Sequence, residues 1–359
     1  MVTGGREVPG GIQRVPGVPG VEDPVGLAKW MAGAGLADLG ELRGVQLIAG
    51  GRSNLTYRLD LDGGQIVLRR PPLGHVLPTA HDMNREYRVL SALSGTAVPV
   101  PQPLAICQDA DVIGAPFYLM RFVDGLILRS TQDGEILTPE QATELSDLLA
   151  SMMATIHSID YASVGLADFG RPAGYLARQL SRWQRQWELS NTREMPGYAE
   201  LVTRLAAGLP QSAEGTLVHG DFRLDNTLVQ LTTPARIAAV VDWEMSTLGD
   251  PLADLGLTLS YWADGGEAFP EINVGATVTA LPGFYTRDQF AAKYAELTGR
   301  DVTDIGYYVA FGYFKLAVVL EGIHARYLLH QTVGEGFERE GPAVPVLIAR
   351  AHHMLDSVG

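Results

Sequence analysis

Cysteine is nearly absent from this chain of 359 residues, where Cys107 stands alone. That excludes an internal disulfide and a multi-cysteine zinc site, and a reducing, cytoplasmic setting is expected. Lysine is almost as scarce, with only Lys29, Lys293 and Lys315 against 24 arginines. Basic charge as a whole is short: 27 Lys and Arg face 41 Asp and Glu, a formal net charge of −14. Such a balance argues against a nucleic-acid groove or an anionic membrane surface as the main partner. Long hydrophobic runs are missing too. The most apolar stretch, Ile305 to Gly322, is interrupted by Lys315 and Glu321, so no membrane span is expected. The first 24 residues carry Gly and Pro but no apolar core of a secretory signal. No Gly-Lys pair offers a Walker-type loop, and no Gly-x-Ser-x-Gly elbow is present. Gly33-Ala34-Gly35 sits in a helical pattern with no preceding strand, which defeats a dinucleotide fingerprint. His352 and His353 are adjacent, the wrong spacing for a helical zinc pair.

What the chain does have is apolar material for a real core, at 46% hydrophobic, and length for two lobes. Residues 1–123 hold 11 basic and 11 acidic side chains, so the whole net charge lies in 124–359. Residues 1–23 read as a mobile arm rich in Gly, Pro and Val, and Pro24–Leu39 as helical. From Val45 the texture changes to short strands. Asp62-Gly63-Gly64 marks a hairpin, and Thr79–Leu93 has helical spacing through Met83, Tyr87, Leu90 and Leu93. After Asp124-Gly125 the period becomes mainly helical, interrupted by short strands over 216–219, 227–231 and 237–243. The expectation is an α+β fold: an arm (1–23), a small antiparallel-sheet lobe with one key helix (24–123), and a larger helical lobe (124–359).

The densest polar cluster is His219-Gly220-Asp221-Phe222-Arg223-Leu224-Asp225-Asn226. An apolar strand delivers Asp221 into a loop, and Asn226 follows five residues later. A second apolar strand, Ile237–Val241, ends in Asp242. Strand ends are where loops aim polar groups at ligands. Asp221, Asn226 and Asp242 together offer a base and two oxygen ligands for a hard cation such as Mg²⁺. Phosphoryl transfer needs those parts: a carboxylate to orient a hydroxyl and cations to neutralise phosphate oxygens.

With Val241-Asp242-Trp243-Glu244, this cluster resembles the aminoglycoside phosphotransferase family of the protein-kinase-like fold. The run from Asp242 to Leu255 is similar to one branch, the kinase-like domain of some acyl-CoA dehydrogenase family proteins. The resemblance implies ATP and Mg²⁺ as cofactors, Asp221 as catalytic base, and Asn226 and Asp242 as metal ligands. It places Arg223 where protein kinases keep a phosphate-contacting lysine. Asp254 fits the family's carboxylate beneath the catalytic loop, while Asp250 suits a helix cap before Pro251.

The N-terminal half can be read the same way. Gly50-Gly51-Arg52-Ser53-Asn54 lies between two predicted strands, as a phosphate-covering loop must. The next strand carries Arg69 and Arg70 where the kinase pattern expects lysine, and Glu86 fits the helix partner. Strand alternation sends the two arginines to opposite faces; Arg69 is assigned the phosphate role and Arg70 is the alternative. Phe117–Val123 reads as a strand, and Phe117–Gly125 resembles the family's adenine-binding hinge, with Phe122 and Val123 as the candidates to meet the adenine. The implied activity is O-phosphotransfer to a hydroxylated small molecule. The competing class is a non-catalytic nucleotide-binding scaffold, favoured by arginine in place of lysine. Arg178, Arg182 and Arg185 on one predicted helix are a candidate basic patch for an acyl-CoA acceptor.

Overall fold

The computed structural model describes residues 15–48, 54–73, 82–211, 215–264, 277–330 and 337–357. Its contacts group the chain into two compact units: one runs to Ser91 and adds Pro101–Val123, the other takes Ala92–Val100 and everything from Asp124.

The first unit is built on an antiparallel sheet. Asp23 caps α1 (Pro24–Met31) by accepting the Gly26 N–H, with Pro24 at the first helical position. The helical stretch expected to reach Leu39 does so in changed form: α1 ends at Met31, a wider π-type turn follows over Ala32–Leu36 with Gly35 at φ near 82°, and a tight 3-10 turn runs over Ala37–Leu39. Strands β1 (Leu42–Leu47), β2 (Leu55–Leu61) and β3 (Gly64–Arg70) precede α2 (Met83–Leu93), which Asp82 opens by accepting the N–H groups of Asn84 and Arg85. Then β4 (Pro103–Cys107) and β5 (Phe117–Arg121) complete a sheet of order β1-β2-β3-β5-β4.

The two faces of β3 have different tasks. Ile66 and Leu68 pack into a core with Tyr57, Leu59, Phe117 and Leu119. Residues 15–23 cover that same core, so they are not the mobile arm expected there. Val18 and Val21 exchange backbone hydrogen bonds of 3.1 and 2.8 Å, Val21 is buried, and the Tyr57 hydroxyl donates to Pro19 O at 2.6 Å. The valines spaced along this segment supply the apolar surface that holds it down. Residues 1–14 of the arm lie outside the described residues.

In the second unit, α3 (Thr131–Gly134) and α4 (Pro139–Ser158) are each opened by a reciprocal capping box, Ser130 with Asp133 and Thr138 with Gln141. α5 (Tyr175–Ser190) and α6 (Tyr198–Ala207) follow, then β6 (Thr216–Val218), β7 (Thr227–Gln230), β8 (Arg236–Val240) and β9 (Thr247–Gly249). β7 and β8 form a hairpin; β6 pairs with β9, a strand the sequence reading did not anticipate. α7 (Pro251–Tyr261), α8 (Arg287–Thr298), α9 (Ile305–Leu328) and α10 (Glu340–Asp356) complete the unit. α9 is long and apolar enough to cross a membrane, yet most of it is buried, packed on α5, α7 and α10.

Candidate active site

Apolar β6 ends at Val218, and the loop that follows is held from beneath by α7 at His219, Gly220 and Phe222. The His219 and Gly220 N–H groups donate to the Asp254 carboxylate at 2.7 and 2.8 Å. Four residues on, Thr258 Oγ1 donates to Phe222 O at 2.6 Å; three further stands Tyr261, whose phenol feels the Asp221 charge. Asp254, Thr258 and Tyr261 form one helical stripe, so a single face of α7 fixes the loop. Gly220 is required here: its φ is 83°, and a Cβ would lie 2.5 Å from Met245 O.

Asp254 is itself oriented by His157, whose Nε2 lies 3.2 Å from Oδ2 while Nδ1 lies 2.7 Å from the Tyr294 hydroxyl. A carboxylate only accepts, so Nε2 carries a proton toward Asp254. Burial alone would raise the Asp254 carboxyl. The His157 hydrogen bond and charge, with the His219 N–H, hold it below its ordinary value instead.

Asp221 is the centre of a second network. Asn226 Nδ2 donates to Asp221 O at 2.8 Å and to its carboxylate Oδ2 at 3.0 Å. Arg223 Nε lies 3.4 Å from the same Oδ2, and its NH1 pairs with Asp225 at 3.1 Å. The guanidinium stands 4.8 Å from the Tyr261 ring centroid. Burial would lower the Arg223 pKa, but Asp221 foremost, with Tyr261, Asp225 and Asp242, holds it above its ordinary value. Burial raises the Asp225 carboxyl, and Arg223 partly offsets the rise. Burial also pushes the Tyr261 phenol far up, and the charge of Asp221 adds to it.

Asn226 immediately precedes β7 and Asp242 follows β8. The pairing of Thr227 with Val240, and the Val241 N–H bond to Asn226 O at 2.9 Å, bring both to one end of the hairpin. His219 Nε2 lies 2.9 Å from Val241 O, tying the two loops together, and Trp243 Nε1 donates to Val240 O at 3.0 Å within the second loop. Asp242 has φ near 66°, a left-handed conformation unusual for a residue with a side chain. Both hydrogen bonds of the Asn226 side-chain amide use Nδ2, which leaves Oδ1 as its oxygen donor. An amide oxygen beside a carboxylate is the donor set a hard divalent cation takes, so these residues fit Mg²⁺.

In the sheet unit, β3 pairs Arg69 with Thr56 and Tyr118, on the face where α2 lies. Arg69 Nε donates to Glu86 Oε2 at 3.0 Å, and Glu86 is only 1% exposed. Arg70 points to the other face, where NH1 donates to Gly20 O at 2.6 Å and Ile113 O at 2.8 Å. Phe122 and Val123 follow β5, half-buried and outside any strand. Asn54 is buried at the start of β2. Gly50, Gly51, Arg52 and Ser53 lie outside the described residues. Of the three patch arginines, Arg178 is spent on the backbone carbonyls of Arg171 and Ala173. Arg182 and Arg185 are exposed.

Sequence reasoning passed over His157, Thr258, Tyr261 and Lys315. The seven-residue step from Asp254 to Tyr261 was a readable signal for the first stripe. Lys315, a lone cation in an apolar run, was another.

The model of the phosphotransferase enzyme family matches residues 44–285. The chain belongs to this family, and it is similar to part of some acyl-CoA dehydrogenase family members. It is 36% identical over 295 residues to mouse acyl-CoA dehydrogenase family member 10, covering 81% of this chain and 27% of that protein. Chicken member 11 is 37% identical over 299 residues, covering 81% of this chain and 38% of that protein. The chain therefore spans about a third of the length of these curated relatives. A Ralstonia eutropha structure assigned to the aminoglycoside phosphotransferases matches with TM-score 0.79 and 33% identity, covering 93% of this chain and 98% of the other. The aminoglycoside phosphotransferase APH(4)-Ia, solved with ADP and hygromycin B, shares the fold at TM-score 0.58 and 16% identity, over 92% of this chain and 98% of its own.

Proposed function

We propose that the chain is an ATP- and Mg²⁺-dependent O-phosphotransferase acting on a hydroxyl of a small molecule. The observation that carries this reading is the Asp221 network: a carboxylate at a strand end, held by Asn226 and Arg223, in a loop anchored by Asp254. Asp221 would orient the acceptor hydroxyl and take its proton as the oxygen attacks the γ-phosphorus and the bond to ADP breaks. Arg223 would meet phosphate oxygens while fixing Asp221. In the sheet unit, Arg69, held by Glu86, would grip the α- and β-phosphates. Asn226 and Asp242 would hold the magnesium, whose chemistry is to neutralise charge on the phosphate oxygens. Phe122 and Val123 would meet the adenine, and Asn54 with the glycines before it would cover the phosphates.

The acceptor we infer is a hydroxylated acyl compound or related metabolite rather than an antibiotic. The support is similarity to acyl-CoA dehydrogenase family members over four-fifths of the chain. The test is ADP and GDP release with a panel of hydroxylated metabolites, acyl-CoAs and aminoglycosides, each against magnesium concentration. Asp242→Asn should raise the magnesium needed for half-maximal turnover by about tenfold, because a charged oxygen ligand becomes neutral. Nucleotide binding without turnover on any alcohol would replace this reading with a non-catalytic nucleotide-binding protein.

A further inference from the structure

Lys315 is one of only three lysines, and it interrupts the most apolar helix of the chain. Its Nζ donates to Gly220 O at 2.8 Å, one residue before Asp221. It stands 5.6 Å from the Trp183 ring centroid on α5, and Arg182 covers the same ring at 5.3 Å. An ammonium carries three N–H donors, and among the described residues only the Gly220 bond uses one.

A half-buried cation normally brings a counter-ion with it. The carboxylates that act on Lys315, Asp221 and Asp254, are both committed elsewhere. Asp254 accepts from His157 and two backbone N–H groups. Asp221 accepts from Asn226, with Arg223 at 3.4 Å. Among the described residues neither lies within ion-pair distance of Nζ. Burial, the largest influence, lowers the Lys315 pKa; Asp221 and Asp254 raise it, and Arg182 lowers it further. Anchoring Gly220 O alone needs no charge, since a neutral donor would do. What this ammonium lacks is an anionic oxygen, and its place beside Asp221 is where an acceptor's hydroxyl would come.

We propose that Lys315, beside Trp183, is the specificity-determining residue of the acceptor side and binds an oxyanion carried by the acceptor molecule. The inference deepens the phosphotransferase reading and rests on it for the identity of the occupant. It sets this site against polycationic acceptors, which Lys315, Arg182 and Arg223 would repel.

Three lysines make the test clean, because protein labelled with ¹³C-lysine gives three side-chain signals, with that of Lys315 assigned by its loss in Lys315→Arg. The probes are matched three-carbon alcohols: glycerol, glycerate, glycerol 3-phosphate and 3-amino-1,2-propanediol. The Lys315 signal should shift saturably with glycerate or glycerol 3-phosphate, and the larger response names carboxylate or phosphate as the oxyanion. Glycerol and the amine should leave it in place, and Lys29 and Lys293 should not respond. By calorimetry, Lys315→Met should weaken binding of the favoured anion about 10- to 100-fold, as expected for a lost charge-assisted hydrogen bond. Lys315→Arg should retain most of the affinity. A Lys315 signal that answers neither anion, or answers chloride as strongly, overturns the proposal. So does a folded Lys315→Met variant that binds both anions as the parent does. If the methionine variant does not fold, the parent spectra decide alone. ADP release is read separately: its absence with every alcohol overturns the phosphotransferase reading while the binding result stands.

Discussion

In the sheet unit Arg69 and Glu86 meet side chain to side chain across a strand and a helix. In the helical unit Asp254 meets the backbone, taking two consecutive N–H groups of the loop that carries Asp221. A side-chain pair fixes two charges but leaves each able to trade its partner for a ligand. A carboxylate bound to main chain fixes the path of the chain itself, and nothing about it is exchangeable without moving the loop. The first arrangement suits a group that must grip incoming phosphates. The second suits a platform that must not move while a neighbouring carboxylate works.

The comparison breaks hardest at the carboxylate carried by the platform. Asp221→Ala should lower turnover by about 10²–10⁴, the usual contribution of a positioned base, while nucleotide affinity changes little. The loop should survive, because its anchors Asp254 and Thr258 bond the backbone of His219, Gly220 and Phe222 rather than the Asp221 side chain. Pre-steady-state ADP formation alongside a nucleotide titration separates the two effects. Near-parental turnover on the true acceptor would remove Asp221 from its assigned role.

The next largest effects come from the paired arginines of β3, which lie next to each other and do opposite work. Arg69→Ala should raise the nucleotide KM by roughly 10- to 100-fold and also cost stability, because Glu86 is buried and loses a guanidinium. Replacing the pair together, Arg69→Met with Glu86→Gln, should recover much of the stability and none of the nucleotide affinity. Arg69→Lys should keep part of the activity, limited by reach rather than charge. Strand alternation alone would make Arg70→Ala mild. The structure changes that expectation: Arg70 ties β3 to Gly20 and Ile113 from a buried position, so its loss should cost about 2–3 kcal/mol of stability. Nucleotide affinity of folded Arg70→Ala should equal the parent's. Denaturant unfolding paired with nucleotide titration distinguishes the arginines, and a reversed pattern would mean that Arg70 meets the ligand.

How much of this was legible in the chain follows from range. Asp221, Asn226 and Asp242 were readable because strand ends and turns are local signals, five or fewer residues wide. Arg69 and Glu86 were readable because period-two and period-3.6 patterns settle which face a side chain takes. Residues 15–23 were misread because Gly and Pro mask the valines that seal a distant sheet. β9 was missed because three residues pair only with β6, some thirty positions away. His157 gave no signal at all. It ends an ordinary amphipathic helix, and only tertiary packing brings its ring to Asp254 and Tyr294.

The smallest effect predicted is also the one that tests whether the backbone-bound carboxylate acts as a charge. The Asp254 carboxyl is held below its ordinary value despite its burial, by His157 and the loop N–H groups. A carboxyl depressed in the folded state stabilises the fold fully above its unfolded value of about 3.9. That contribution is lost as pH falls through the lower folded value. Asp254→Asn does not titrate and turns an N–H group toward donors that need an acceptor, so it should cost about 1–3 kcal/mol near neutrality. The gap between parent and variant should then narrow as pH drops from 5 towards 3, because the parent alone loses its carboxylate. Denaturant midpoints of both proteins across that range give the comparison. A gap constant with pH would show that Asp254 acts through the shape of its hydrogen bonds and not through its charge. The platform would then be held by geometry alone, and the contrast with the Arg69–Glu86 pair would sharpen further.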